Sequence, residues 1–212
     1  MTIVCELERD KRVTLLRLDD RQTPQDKTVV CIGFFDGVHL GHARLIETAR
    51  DVARQLGLQV VVHTFSEMPA NVLRPDDSIE EITNLCEKAA LLGSFGVELV
   101  AVSRFDLAMA RMRAADFFQQ IIIEQLRAAH VVAGFDHRFG FRSEADTAVL
   151  ARLCAASRVG LSIVPPVCTA RGVLISSSAI RQAIRAGDLA LAEEMLGRPV
   201  ADKDIELRRE EG

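Results

Sequence analysis

The feature that most constrains the fold is a strand–turn–helix–strand pattern between residues 28 and 65. Residues 28–35, TVVCIGFF, form an apolar, β-branched run that is typical of a buried strand. After a turn rich in glycine and histidine, residues 43–57, ARLIETARDVARQLG, place apolar side chains at helical spacing before a terminal glycine. Residues 59–65, QVVVHTF, form a second apolar run. Such a unit favours parallel strands joined by a right-handed crossover.

The same alternation continues along the rest of the sequence. Further helices are predicted at residues 79–95, 114–128, 143–158, 177–186 and 189–196. Further strands are predicted at residues 97–102, 130–135, 161–165 and 172–175. The alternation predicts an α/β fold with a doubly wound parallel sheet. We expect a single domain over residues 1–200 and a charged C-terminal tail over residues 201–212.

The overall composition argues against several classes of protein. A hydrophobic content of 49% with 26% charged residues is ordinary for a soluble globular chain. The formal net charge of −4 argues against a general nucleic-acid-binding protein, which needs a basic face. No secretory signal and no apolar run of the ~18 to 20 residues that span a membrane is present. Five scattered cysteines indicate reduced, mostly buried thiols, so we expect a cytoplasmic protein. From the charge and the lack of a long apolar run, we expect no nucleic-acid or membrane partner.

The segment at residues 33–42, GFFDGVHLGH, follows the first strand of this pattern. Doubly wound sheets bind ligands at the carboxyl ends of their strands. His42 falls in the first turn of the next helix, where backbone N–H groups favour an anion, and His39 lies three residues earlier. Two imidazoles at a helix N-terminus suit a triphosphate whose charge shifts to a leaving pyrophosphate. Ordinary turn glycines, a structural histidine pair and a zinc site are alternatives, although further zinc ligands are not evident.

A second candidate segment is ISSSAIRQAIRAGD, residues 175–188. Ser176, Ser177 and Ser178 stand at the start of a predicted helix, where one hydroxyl caps the helix and the others can bind phosphate. Arg181 lies one turn further on and can reach forward as a bidentate phosphate clamp. Taken alone, the segment is explained more simply by a serine-rich N-cap with a solvated arginine.

Together with three longer stretches, these two motifs resemble the adenylyltransferase module of the bacterial bifunctional riboflavin kinase/FMN adenylyltransferase (FAD synthetase) family, within the nucleotidylyltransferase superfamily. The stretches are EEITNLCEKAALLGSFGVELV, VVAGFDHRFGFRSEAD and SAIRQAIRAGDLALAEEMLGRPV. The resemblance covers most of residues 28–200. It implies a Rossmann-like nucleotidylyltransferase fold. It also implies transfer of AMP from ATP to FMN, giving FAD and pyrophosphate, with Mg²⁺ bound alongside ATP.

The resemblance and the position at the strand end assign expected roles to individual residues. The expected catalytic residues are His39, His42 and Arg181. The expected ATP-binding residues are Gly33, Phe34, Phe35, Asp36, Gly41, Asp136, Ser176 and Ser177. Phe65 and Arg74 are expected to bind the acceptor, and no metal ligand is assigned. ATP and FMN are the expected partners, with a separate riboflavin kinase as a candidate source of FMN.

The sequence departs from the family pattern mainly on the flavin side. Where the family carries a His-Pro pair after the second strand, this chain has Glu67 and Met68. Where the family has Phe, this chain has His137, which we expect to face solvent, and the family's R-x-G-D is RSEAD. The kinase module has no counterpart after LGRP. A different phosphate acceptor, or a catalytically weak flavin- or nucleotide-binding protein, therefore stays open.

Three further polar residues have simpler interpretations. Glu87 and Lys88 lie side by side on a predicted helix, where neighbouring side chains diverge, so we interpret them as structural or surface residues. His63 lies inside an apolar strand. Its position indicates a buried histidine with a hydrogen-bond partner rather than a catalyst.

Overall fold

A computed structural model describes residues 3–6 and 12–201, which form a seven-stranded sheet with helices packed on both faces. The strands are β1 (Ile3–Glu6), β2 (Arg12–Arg17), β3 (Thr28–Ile32), β4 (Gln59–Phe65), β5 (Leu99–Ser103), β6 (Ala128–Gly134) and β7 (Gly160–Val164). Their order across the sheet is β1-β2-β5-β4-β3-β6-β7. Only the edge pair β1–β2 is antiparallel among the described strands. The predicted doubly wound α/β fold is confirmed.

Most of the helices lie between successive strands, and the last two follow the final strand. They are α1 (Leu40–Leu56), α2 (Pro69–Leu73), α3 (Leu85–Ser94), α4 (Leu107–Ala110), α5 (Ala114–Phe117), α6 (Thr147–Ala156), α7 (Ser177–Ala186) and α8 (Leu189–Leu196). A π-helical segment, Phe118–Gln125, continues α5. The helix predicted from residue 79 begins only at α3, because Asn84 and Glu87 exchange side-chain-to-backbone hydrogen bonds that cap it there.

The core has one layer on each face of the sheet. β3 is buried along its whole length. Val30 and Ile32 belong to the layer that includes α5 and α6, whereas Val29 and Cys31 belong to the layer that includes α1 and α3. Burial on both faces explains why β3 is a continuous apolar run without alternation. A third cluster joins α7 and α8 around Ile180.

Some predicted elements differ from the structure. The sequence pattern missed β1 and β2, and β2 pairs with β5, which lies far along the chain. The strand predicted at residues 172–175 is only an isolated bridge between Cys168 and Leu174. Of the described cysteines, Cys31 and Cys154 are buried, whereas Cys86 and Cys168 are exposed, so the expectation of mostly buried thiols holds for half of them. Residues 202–212 of the predicted tail lie outside the described residues.

The strand order places a topological switch beside β3. The chain runs from β3 to β4 and β5 in one direction, and then to β6 and β7 in the other. In open parallel sheets, the crevice at the carboxyl ends of the two strands beside such a reversal binds the ligand. Here those strands are β3 and β6, which pair directly. The loops that follow them begin at Gly33 and Phe135.

Candidate active site

The loop between β3 and α1 makes a tight turn through the left-handed region of backbone conformation. Phe35, Gly37 and Val38 have φ angles of 58°, 74° and 38°. A Cβ on Gly37 would lie 3.1 Å from the side chain of Ile82, so both the close approach and the positive φ require glycine. Phe35 and Val38 are fully buried. Core packing therefore holds the turn and brings His39 to the N-cap of α1.

His39 and His42 cap α1 reciprocally. The His39 Nδ1 accepts a hydrogen bond from the His42 backbone N–H at 3.3 Å, and the His42 Nδ1 accepts one from the His39 backbone N–H at 3.4 Å. The two rings stack with their centroids 3.7 Å apart and their planes at 17°. Gly41 allows this stack, because a Cβ there would lie 3.0 Å from the His39 ring.

Both imidazoles of this pair are neutral at pH 7. Burial, helped by the charge of Arg198, lowers the pKa of His39 to about 4. Burial, followed by electrostatic interaction with His39 and the charge of Lys88, lowers the pKa of His42 well below its ordinary value. Since each Nδ1 accepts a hydrogen bond, each neutral ring carries its proton on Nε2. The pair therefore presents two N–H donors.

The second motif begins α7 and is tied to the first. The Ser176 hydroxyl accepts a hydrogen bond from the Ala179 backbone N–H at 3.2 Å, which confirms the predicted N-cap. The Ser177 hydroxyl donates to the backbone carbonyl of Asp36 at 2.9 Å. The N-termini of α1 and α7 therefore open onto the same site, where their backbone N–H groups and dipoles favour an anion.

A buried ion pair forms the strongest link between the motifs. The Asp36 side chain is 2% exposed, and its carboxylate accepts a hydrogen bond from the Arg181 guanidinium at 2.6 Å. The Thr83 backbone N–H donates to the same carboxylate at 3.1 Å. With its side chain only 16% exposed, Arg181 is not a solvated surface arginine. In this structure its guanidinium contacts a carboxylate of its own chain.

Two further cations lie near the loop and were missed as site residues from the sequence. Arg198 donates to the backbone carbonyls of Gly37 at 2.6 Å and Val38 at 3.2 Å. Lys88 is buried, and its Nζ lies 3.7 Å from the centroid of the Phe34 ring. Of the two interpretations predicted for Lys88, structural or surface, the surface one is therefore wrong.

The environment of Lys88 changes its protonation. Burial lowers the pKa of Lys88 to about 8, and the negative charges of Glu81 and Asp36 partly oppose this effect. The sequence contained one signal of this burial. Leu92 lies four residues after Lys88 on the same face of α3 and is fully buried. Glu87, in contrast, caps α3 and is structural, as predicted.

The two loops line two neighbouring hollows at this edge of the sheet. The first, which we call the polar cleft, has a volume of about 270 Å³. The predicted site residues that line it are His39, Gly41, His42, Asp136, Ser176 and Ser177. The second, which we call the apolar cavity, has a volume of about 420 Å³. Its walls include Phe34, Phe65, Phe105, Met112, Phe117 and Phe139.

The remaining predicted site residues lie elsewhere. Gly33 and Phe34 line the apolar cavity and not the polar cleft. Phe35 is in the core, with its ring centroid 4.9 Å from that of His42, so it supports His42 from the protein side. Arg74 is exposed at the end of α2 and is not part of the cavity wall, although the preceding residue, Leu73, is. The roles of all these residues stay predictions.

Two histidines differ in how they meet the apolar cavity. The His63 Nε2 lies 2.9 Å from the Ser103 hydroxyl, which confirms the predicted buried and partnered histidine. Burial, with a contribution from His137, lowers the pKa of His63 to about 3. The prediction that His137 faces solvent is wrong. Its Nε2 is buried and has no hydrogen-bond partner within residues 3–6 and 12–201.

The polar cleft offers little for a resident metal ion. In the part of the chain that the structure describes, no group of three His, Cys, Asp or Glu side chains could hold a metal. Asp136 is the one carboxylate that lines the cleft among the described residues. Mg²⁺ commonly binds through one or two carboxylates together with substrate phosphates. The cleft therefore fits Mg²⁺ that arrives with a nucleotide.

Comparison with known proteins agrees with this geometry. A family model described as FAD synthetase matches residues 21–179. The chain belongs to the FAD synthetase family. It is 36% identical over 180 residues to the bifunctional riboflavin kinase/FMN adenylyltransferase of Escherichia coli strain K12. The aligned residues cover 85% of this chain and 57% of that protein. The resemblance found in the sequence is confirmed, and the chain spans a little over half the length of that relative.

Two solved structures are similar to this FAD synthetase family member. One, described as a macrolide-efflux protein from Streptococcus pneumoniae, has a TM-score of 0.76 and 34% identity, covering 88% of this chain and 60% of that chain. The other is a pantoate–β-alanine ligase from Francisella tularensis in complex with β,γ-ATP and β-alanine. It has a TM-score of 0.51 and 13% identity, covering 92% of this chain and 82% of that chain, and shows the fold alone. No helix within residues 3–6 and 12–201 is long and apolar enough to cross a membrane.

Proposed function

We propose that this protein transfers AMP from ATP to FMN, giving FAD and pyrophosphate. One observation carries the proposal: each of two loops lines both the polar cleft and the apolar cavity. After β3, Phe34 lines the cavity and His39 lines the cleft. After β6, Asp136 lines the cleft and the adjacent His137 lines the cavity. A reaction that joins a polyanionic substrate to a flat aromatic one needs such a pair of sites.

The polar cleft supports the ATP half of the proposal. Two helix N-termini and the Nε2–H groups of His39 and His42 supply donors without a fixed positive charge on either ring. Arg198 and Lys88 add positive charge beside the first loop, whereas the charge of Arg181 is balanced by Asp36. Donors and charges that are already held in place stabilise a developing anion without reorganising.

The apolar cavity supports the FMN half. Its volume of about 420 Å³ falls in the range of cofactor and small-molecule sites. Phe65 and Phe105 pack edge to face with their centroids 5.1 Å apart, and Phe117 and Phe139 lie 6.0 Å apart. Aromatic walls of this kind suit a flat ring system. Phe65 therefore stays our proposed acceptor-binding residue, and Arg74 stays a prediction for the acceptor phosphate.

In the proposed reaction, an FMN phosphate oxygen attacks the α-phosphorus of ATP in line. A new P–O bond forms to FMN, the bond to the bridging oxygen breaks, and pyrophosphate leaves with that electron pair. The nucleophile is already an anion, so the neutral imidazoles need not remove a proton. Their role is to donate hydrogen bonds to the bridging and leaving oxygens, while the α7 N-terminus holds the outer phosphates. Mg²⁺ bound beside Asp136 would neutralise phosphate charge.

The test is pyrophosphate release from Mg·ATP by the purified protein, with the product identified by chromatography. FMN, riboflavin or no acceptor is supplied in parallel reactions. We expect FAD only with ATP and FMN, and FAD from riboflavin only after a separate riboflavin kinase is added. ATP binding without turnover on FMN would contradict the proposal. Turnover on another phosphate acceptor would favour a different nucleotidylyltransferase, and binding alone would favour a nucleotide-binding protein.

We also propose the wider setting of this activity. ATP and FMN would be its partners, and a separate riboflavin kinase would supply FMN in the cytoplasm. Residues 1–200 would form the single catalytic domain. Fluorescence microscopy of the tagged protein tests the location, and exclusion from the cytoplasm would contradict it. The activity of a variant that ends at residue 200 tests the domain, and loss of activity on truncation would contradict it.

A further inference from the structure

Among the described residues, one buried side-chain polar atom in the wall of the apolar cavity has no hydrogen-bond partner in the protein. Buried side-chain nitrogen and oxygen atoms nearly always have hydrogen-bond partners. Within residues 3–6 and 12–201, only the Gln125 Oε1 and the His137 Nε2 lack one. Gln125 ends the π-helical segment and lines neither hollow. His137 lines the apolar cavity, so a molecule in that cavity can supply the missing partner.

The ring of His137 is held in a defined orientation. It stacks on Phe139, with the centroids 5.7 Å apart and the planes at 20°. Its backbone N–H donates to the Gly134 carbonyl at 3.1 Å, which fixes the turn after β6. Burial lowers the pKa of His137 to about 4, a shift that the charge of Asp136 opposes. The imidazole is therefore neutral at pH 7.

The other histidine of the cavity does not offer a comparable atom. The His63 Nε2 already faces the Ser103 hydroxyl at 2.9 Å. A Phe at position 137 would provide a similar ring face without the polar atom.

We propose that the His137 Nε2 forms a hydrogen bond with a polar edge atom of the flavin ring, and so contributes to selection of the acceptor by this chain. This inference rests on the proposed function. The bond supplies the partner that the apo protein lacks, so it favours the occupied cavity over the empty one. Acceptors whose ring edge offers only C–H groups leave this nitrogen unsatisfied and bind more weakly.

The experiment compares His137→Phe with His137→Gln by FMN fluorescence titration and thermal unfolding. His137→Phe should weaken FMN binding about tenfold, the effect of one lost hydrogen bond at a buried atom. It should leave the Tm of the apo protein unchanged or raise it, because it removes an unsatisfied buried atom. His137→Gln keeps a hydrogen-bonding group and should bind FMN within about threefold of the wild type.

A matched control is His130→Phe, on β6 outside both hollows. The His130 Nε2 lies 2.9 Å from the Ser162 hydroxyl, so loss of this hydrogen bond should lower the Tm of the variant. Since His130 lines neither hollow, the affinity for FMN should not change. If His137→Phe binds FMN as tightly as the wild type, or if His137→Phe and His137→Gln lose equal affinity for FMN, the inference is overturned. If the wild type still forms FAD in that case, the proposed function stands. A wild-type protein that neither binds FMN nor forms FAD overturns both.

Discussion

The polar cleft and the apolar cavity share two loops but are built in different ways. In the cleft, His39 and Ser177 form hydrogen bonds with other groups of the protein, and the Asp36–Arg181 ion pair links the two loops behind it. In the cavity, packing of aromatic rings defines the walls, and one buried side-chain nitrogen, His137 Nε2, has no hydrogen-bond partner among the described residues. Under the proposed function, the chain would hold the groups that stabilise charge before ATP binds, whereas the acceptor would supply the partner that His137 lacks.

The largest expected effect concerns the ion pair behind the cleft. Asp36→Asn keeps the shape of the side chain but leaves the Arg181 guanidinium without its carboxylate. We expect a loss of about 3 kcal/mol in the free energy of unfolding, measured with urea. Arg113→Gln breaks the Arg113–Glu144 pair, in which the arginine side chain is 69% exposed, and should hardly move the midpoint. Equal midpoints for both variants would show that the buried pair is not structural.

The next effect tests the donors of the cleft. His42→Ala removes one Nε2–H donor and the cap that it forms with His39. We expect kcat for FAD formation to fall on the order of 10²-fold or more, with a small change in the KM for FMN. His130→Ala serves as the control, since His130 lines neither hollow. Near-normal turnover of His42→Ala would remove this residue from the proposed mechanism.

A smaller effect should separate the cavity from the cleft. Ala110 lines only the apolar cavity, so Ala110→Phe should narrow it. Overpacking of this kind should raise the KM for FMN about tenfold and leave the Kd for ATP unchanged. Ala110→Ser, which adds little volume, should behave as the wild type. Parallel losses for both substrates would mean that the two hollows do not act as separate sites.

The smallest effect is a dependence on pH through Lys88. Burial lowers the pKa of Lys88 to about 8, so the ammonium is charged below that pH and neutral above it. Its loss of charge weakens the positive field around the loop, and kcat/KM should fall a few-fold above about pH 8. Lys88→Met should be less active at pH 7 and should lack this alkaline decline. An unchanged decline in Lys88→Met would assign the titration to another group.

The sequence predicted the parts that depend on local pattern. The apolar run of β3, the helical spacing of α1 and the cap at Ser176 are properties of neighbouring residues, so periodicity and capping rules found them. The strand β2 was missed although Val13 and Leu15 are buried at alternate positions along it, and its place beside β5 is decided only by folding. The two motifs indicated the polar cleft for the same reason: each is short and continuous in the sequence.

Tertiary structure alone decided how those motifs are held and what faces the acceptor. Asp36 and Arg181 are 145 residues apart in the chain, and only folding makes them a buried pair. The burial of Lys88 and of the His137 Nε2 likewise depends on elements that pack from distant parts of the sequence. A residue type and its spacing determine hydrogen-bonding capacity, but burial, pKa and partnership are set by what packs against it.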